Sequence, residues 1–203
     1  MTQKKIIRWG IAGTGIIARQ FASDMNFAEG AILSAICSRE AGKAQDFADR
    51  HSGVLAFDSL TSMINSQAID AVYVATPNMT HHAKTFECIA AGMPVLVEKP
   101  MTARLDEALE IQATAGTKGS FVMEAMWSRY LPAIKAVRVA LRDGIIGTVR
   151  KLEANIATKH QFNPESRFFD KQQGGGALHD LGVYPISLAR YFLGDPDSIE
   201  AIW

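Results

Sequence analysis

Between two stretches of opposite periodicity stands a run of small residues, Gly13-Thr14-Gly15-Ile16-Ile17-Ala18. Before it, residues 6–12 are a short, mostly apolar segment that reads as a buried strand. After it, Ile17, Phe21 and Met25 recur at helical spacing. A strand that turns into a helix over a G-x-G-x-x-A sequence points to a parallel sheet with helical crossovers. Each small residue has its own reason. Gly13 permits the tight turn, Gly15 lets a pyrophosphate approach the backbone, and Ala18 lets the helix pack close on the strand. The helix start then aims its N–H groups and dipole at the phosphates. Glycine turns without ligands are common, and it is the flanking strand and helix that favour a dinucleotide site here. Gly13, Thr14, Gly15 and Ile16 are its expected first contacts.

Strand and helix patterns keep alternating downstream. Strands are expected at 31–37, 54–57, 70–75, from Val95 onward, and at 121–124. Helices are expected at 40–50, around Leu60, Met63 and Ile64, between Asn78 and Gly92, and over 102–118. Asp58, Thr80 or Asn78, and Thr102 are the residues placed to cap three of them. The pattern is that of a doubly wound α/β sheet, whose ligands bind outside the carboxyl ends of the strands. Three further clusters fall at such ends. Ser38-Arg39 follows the second strand, where an acidic residue usually holds the ribose of NAD. Ser38 has no charge to repel a 2′-phosphate and Arg39 can pair with one, so NADP is preferred over NAD, with Glu40 partly offsetting the preference. Thr76-Pro77-Asn78 forms a turn after the fourth strand. Val95-Leu96-Val97 delivers Glu98, Lys99 and Pro100 to the same edge, and a half-dry lysine there can handle protons.

Bulk properties exclude several classes. The net charge is zero, which gives no electrostatic footprint for nucleic acid or anionic membrane. Residues 1–5 lack the apolar core of a signal peptide, and no apolar run approaches membrane-spanning length, so a cytoplasmic protein is expected. Cys37 and Cys88 have no metal-ligand spacing and read as two buried thiols. The neighbours His81 and His82 point in different directions along a helix, so no metal site is expected.

In the second half, Pro132 opens a helix closed by Gly144, and residues 148–159 alternate with Leu152, Ala154 and Ile156 on one face. That alternation reads as a strand of a separate, solvent-facing sheet. The expected division is therefore a dinucleotide-binding domain over 1–126 and the beginning of an α+β domain with a predominantly antiparallel sheet over 127–203. Gly174-Gly175-Gly176 precedes a helix that carries Asp180 and Tyr184 four residues apart, with Pro185 expected to kink it.

Taken together, G-x-G-x-x-A, Thr76-Pro77-Asn78-x-x-His81, Ala91-Gly92, Glu98-Lys99-Pro100, residues 124–129 and residues 174–184 resemble the Gfo/Idh/MocA oxidoreductase family. Trp127-Ser128-Arg129 and Tyr184 resemble its dihydrodiol dehydrogenase and NADP-dependent xylose dehydrogenase branch. The resemblance implies a nicotinamide cofactor, a sugar, polyol or trans-dihydrodiol substrate, catalysis by Lys99, and a cis bond before Pro100. It implies cofactor or pocket roles for His81, Glu98, Trp127 and Arg129 as well. It also implies dimer contacts through the outer face of the second-domain sheet.

On that reading, Tyr184 lies beside Lys99. A phenol is a weak acid in water, and a nearby ammonium favours its ionised form. Tyr184 then exchanges a proton with the substrate hydroxyl, while Asp180 orients the substrate or holds Lys99 charged. The alternative makes Lys99 the proton donor and Tyr184 its hydrogen-bond partner. The family pattern continues well beyond Trp203, so a truncated product or fragment is expected, with the substrate side incomplete. A second class of function follows: a dinucleotide-binding module or redox sensor without turnover. A methyltransferase-like sheet leaves Glu98-Lys99-Pro100 without a purpose.

Overall fold

In a computed structural model, which describes residues 5–202, the chain divides into two compact units between Ala125 and Met126. The first unit is built on six strands: β1 (Ile7–Ala12), β2 (Ala31–Cys37), β3 (Leu55–Phe57), β4 (Ala71–Val74), β5 (Val95–Val97) and β6 (Val122–Glu124). They lie in the order β3-β2-β1-β4-β5-β6, and every pairing is parallel. The crossovers are α1 (Ile16–Asp24), α2 (Ala41–Ala48), α3 (Leu60–Asn65), α4 (His81–Ala90) and α5 (Leu105–Lys118). This is the strand order of dinucleotide-binding sheets, and it makes β1 and β4 the neighbours where the winding reverses.

Burial explains the sequence pattern. β4, with Val72, Tyr73 and Val74, is buried throughout. One face of the sheet packs Ala12, Val72, Val74, Val95 and Val97 against Leu60, Met63 and Cys88. The other packs Ile11, Ile36 and Tyr73 against Ala18, Ala22 and Phe47. Small residues at 18 and 22 let α1 lie close to the strands. The Phe21 ring fills the remaining space, stacked on Tyr73 with centroids 4.0 Å apart.

The entry of β4 is locked to β1 by Arg8 and Asp70. The guanidinium donates to both carboxylate oxygens at 3.0 Å, and the Arg8 backbone N–H donates to Oδ2 at 2.9 Å. These bonds hold the Asp70 carboxyl down at about 2, below its ordinary 3.8. A depressed folded value means the stabilisation is present above the ordinary value and is lost as pH falls toward about 2. Asp70→Asn is therefore expected to lower Tm at neutral pH by a few degrees and to converge on wild type in acid, measured by thermal melts across pH.

Three local expectations change. Ser59, not Asp58, caps α3 by accepting the Ser62 N–H; Asp58 instead accepts from the Ser59 and Ser62 hydroxyls. Thr102 does not cap α5, because its hydroxyl donates to the Arg104 carbonyl and Arg104 takes the cap position. Thr80 precedes α4, but its hydroxyl donates to Thr76 and to the Pro77 carbonyl rather than accepting from the helix.

The second unit contains α6 (Pro132–Arg142), a π-helical turn at Leu178–Gly182, and α7 (Val183–Leu193). Pro185 follows the π-helical turn directly, so the helix that carries Asp180 and Tyr184 is irregular over Leu178–Gly182, just before the proline, and regular after it. Residues 148–159 and 198–202 form no strand among the described residues, and Trp203 lies outside them. The physical reason is pairing: an extended segment is held by a neighbouring strand, and neither stretch has one here. Cys37 and Cys88 are free and buried, and burial pushes both thiols up to about 12. Among the described residues, no helix is long and apolar enough to cross a membrane.

Candidate active site

The carboxyl ends of β2, β1, β4 and β5 lie side by side, and each releases a segment singled out in the sequence. After β1 the chain turns at Gly13, with φ +111°. A Cβ there meets the Ala75 carbonyl oxygen at 2.5 Å, so only glycine lets the turn close against the end of β4. Gly13 N–H donates to the Cys37 carbonyl, which ties the turn to β2 as well. Gly15 is different: nothing approaches its Cβ position within 4 Å. It is the residue before α1, and no side chain caps that helix. The first-turn N–H groups, with Thr14 half-buried and Ile16 exposed beside them, form a cradle suited to a pyrophosphate.

Ser38 continues the edge after β2. Its N–H donates to the Phe57 carbonyl and its hydroxyl accepts the Glu40 N–H at 3.3 Å. Arg39 is exposed. Glu40, read in the sequence as a competitor for Arg39, places its carboxylate 2.7 Å from Lys43 Nζ instead.

After β4, Thr76-Pro77-Asn78 turns into α4, and His81 stands at the start of that helix with no exposed surface. Its Nε2 lies 2.9 Å from the Thr76 carbonyl oxygen and its Nδ1 2.8 Å from that of Pro100. Both ring nitrogens are therefore engaged by backbone. His81 thus fastens the turn after β4 to the loop after β5. His82 is engaged with Glu110 at 3.0 Å, and among the described residues no cluster of three or more acidic, His or Cys side chains is placed to hold a metal.

After β5 comes the loop that carries Lys99, with a cis Lys99–Pro100 bond as the resemblance implied. Lys99 is half-buried. Glu98 is 8% exposed; it accepts from the Tyr73 hydroxyl at 2.5 Å and from the Lys99 N–H at 3.1 Å. Glu124, at the end of β6, accepts the Met101 N–H at 2.8 Å. Tyr73 was not singled out in the sequence, and Glu124 entered only as the first residue of the 124–129 motif. The signal for Tyr73 was present, however: an aromatic in an aliphatic strand, paired with Leu96 and so on the face that Glu98 continues.

In the second unit, the Trp127 indole N–H donates to the Tyr184 hydroxyl at 3.0 Å, the rings meeting edge to face. Trp127 is 53% exposed and is not a core aromatic. Asp180 lies in the π-helical turn, with Arg167 3.8 Å from its carboxylate. Arg129 donates to the Ser187 hydroxyl at 2.7 Å and lies over the Tyr191 ring, so its guanidinium is engaged with α7.

Comparison with known proteins gives the same picture at the level of families. Residues 7–126 match the model of an oxidoreductase family with an NAD-binding Rossmann fold, GFO_IDH_MocA, and residues 134–203 match a GFO/IDH/MocA C-terminal domain. A mouse (Mus musculus) protein named trans-1,2-dihydrobenzene-1,2-diol dehydrogenase is 34% identical over 97% of this chain and 60% of its own length. The chain thus spans about three-fifths of the curated relatives it matches. KijD10, a 3-ketoreductase from Actinomadura kijaniata solved with NADP and TDP-benzene, is 30% identical with a TM-score of 0.79, over 94% of this chain and 58% of that one. GenD2 from gentamicin A biosynthesis, solved with NAD, is 26% identical with a TM-score of 0.77, over 95% and 55%.

Proposed function

Since the chain belongs to the GFO/IDH/MocA oxidoreductase family, we propose that it serves NAD(P)-linked interconversion of a hydroxyl and a carbonyl on a trans-dihydrodiol, sugar or polyol. What supports the reading most is the convergence of Gly13, Ser38, Thr76 and Lys99 on the carboxyl ends of four adjacent strands. A bound nicotinamide supplies the hydride acceptor in one direction and the donor in the other.

The residues have separate tasks. Gly13, Thr14, Gly15 and Ile16 hold the pyrophosphate through backbone N–H groups at the start of α1. Ser38 and Arg39 receive the adenosine ribose. With Glu40 engaged by Lys43, the Arg39 guanidinium favours a 2′-phosphate, hence NADP over NAD. Thr76, Pro77 and Asn78 border the cofactor on the β4 side, and Glu98 fixes the backbone of Lys99. Lys99 handles the proton that the substrate hydroxyl loses when it is oxidised. Tyr184 is the second proton-handling group. The Trp127 N–H aimed at its oxygen supports that oxygen when its proton leaves. Asp180 orients substrate. An antiparallel sheet in the complete second domain, and assembly of copies through it, belong to the same proposal.

The test is a panel of trans-dihydrobenzenediol, aldoses and polyols with NADP and NAD, followed by the absorbance of the reduced nicotinamide. Turnover of at least one member, faster with NADP, is the expected outcome. Saturable cofactor binding with no turnover favours the dinucleotide-binding module instead, and absence of binding removes both readings.

A further inference from the structure

Tyr73 is buried to 2% exposure in the middle of the sheet, yet its hydroxyl reaches the chemistry-bearing loop. Register places it opposite Leu96, two residues before Glu98, so the Tyr73 side chain and Glu98 share one face. The hydroxyl donates to Glu98 Oε1 at 2.5 Å. The other carboxylate oxygen, Oε2, accepts the Lys99 N–H at 3.1 Å. The Tyr73 ring is itself stacked on Phe21 of α1, the helix that follows the glycine turn. A continuous path therefore runs from α1 through Phe21, Tyr73 and Glu98 to the backbone of Lys99.

We propose that Tyr73 is a positioning residue: it fixes Glu98, and through Glu98 the backbone of Lys99, relative to the dinucleotide-binding helix. The proposal rests on the catalytic reading of Lys99 given above. Its physical content is geometric. A glutamate gripped at one oxygen only can rotate about its terminal torsion, and the Lys99 N–H follows it or loses its acceptor. Held at both oxygens, the carboxylate has one orientation. Lys99 then sits where the turn after β5 puts it, rather than in an ensemble of positions. An error of about 1 Å in placing a catalytic group is enough to cost about a hundredfold in rate.

Tyr73→Phe separates this role from packing, because it keeps the ring and the Phe21 stack and removes the hydroxyl. Two readouts are needed. In the first, amide exchange by NMR on the cofactor-free chain, Lys99 N–H is expected to exchange about tenfold faster, while β4 and β5 amides keep their wild-type protection. In the second, on a substrate that wild type turns over, kcat falls about tenfold with KM for NADP unchanged. Glu98→Gln removes one of the same two acceptors, so the double variant is expected to be no worse than the poorer single one. A purely structural role for Tyr73 lowers Tm, accelerates exchange throughout β4 and β5, and leaves kcat alone. Unchanged exchange at Lys99, or faster exchange with full kcat, overturns the proposal. If wild type turns over no member of the panel, the functional reading fails, and exchange at Lys99 alone decides whether Tyr73 holds the loop.

Discussion

Lys99→Ala is expected to reduce kcat by about 10²–10⁴ while leaving the dissociation constant of NADPH within about threefold of wild type. The size follows from what positioned proton transfer contributes, and the selectivity follows from the structure. The cradle that receives the pyrophosphate is made by Gly13, Gly15 and the start of α1, none of which depends on the lysine side chain. Lys99→Arg sharpens the test. It keeps a positive charge at the end of β5, but a guanidinium does not give up its proton in this pH range. If Lys99 acts only by its charge, the arginine variant recovers most of the lost rate. If it exchanges a proton, arginine is nearly as poor as alanine, which is the expected result. Steady-state rates and fluorescence titration of NADPH on the two variants provide both numbers. Near-full turnover in Lys99→Ala removes the lysine from the mechanism.

The second large effect concerns cofactor choice. Arg39→Ala is expected to weaken NADPH binding by about ten- to a hundredfold and to change NADH binding by less than about threefold. That range corresponds to one charge-assisted hydrogen-bonded contact, about 1.5–3 kcal/mol. Arg39 is exposed just past the end of β2, and its acidic neighbour is turned away toward Lys43. Breaking that pair gives a complementary result. Lys43→Ala releases Glu40 beside Arg39 and should lower the NADPH preference by a few-fold, most visibly at low salt. Equal affinity of wild type for NADPH and NADH, in direct titration, refutes the role given to Arg39.

How much of this was legible beforehand depends on the range of the interaction involved. The sheet and its crossovers were readable because each element carries its own signal. Val95-Leu96-Val97 is apolar throughout since both its faces are covered, and Gly13 is glycine since a neighbouring carbonyl leaves no room for more. Bonds between distant residues were not readable. His81 is a motif histidine in the sequence, but its bonds to the Thr76 and Pro100 carbonyls join two separate turns and cannot be read from spacing. Thr102 had the chemistry of a helix cap, but its hydroxyl faces a carbonyl. The Tyr73–Glu98 bond crosses 25 residues of sequence and becomes predictable only once β4 and β5 are in register. The alternation over residues 148–159 shows the converse. A period of two states which residues could share a face, but a strand needs a partner, and this stretch has none here.

The central claim is that a nicotinamide dinucleotide binds along the carboxyl edge of β2, β1, β4 and β5, with Lys99 at its working end. An NMR titration of isotope-labelled protein with NADPH tests it residue by residue. The account predicts saturable shifts in the backbone amides of Gly13, Gly15, Ser38, Thr76 and Lys99, all following one binding curve. Shifts that never saturate, or that saturate elsewhere and leave these five amides still, would contradict it.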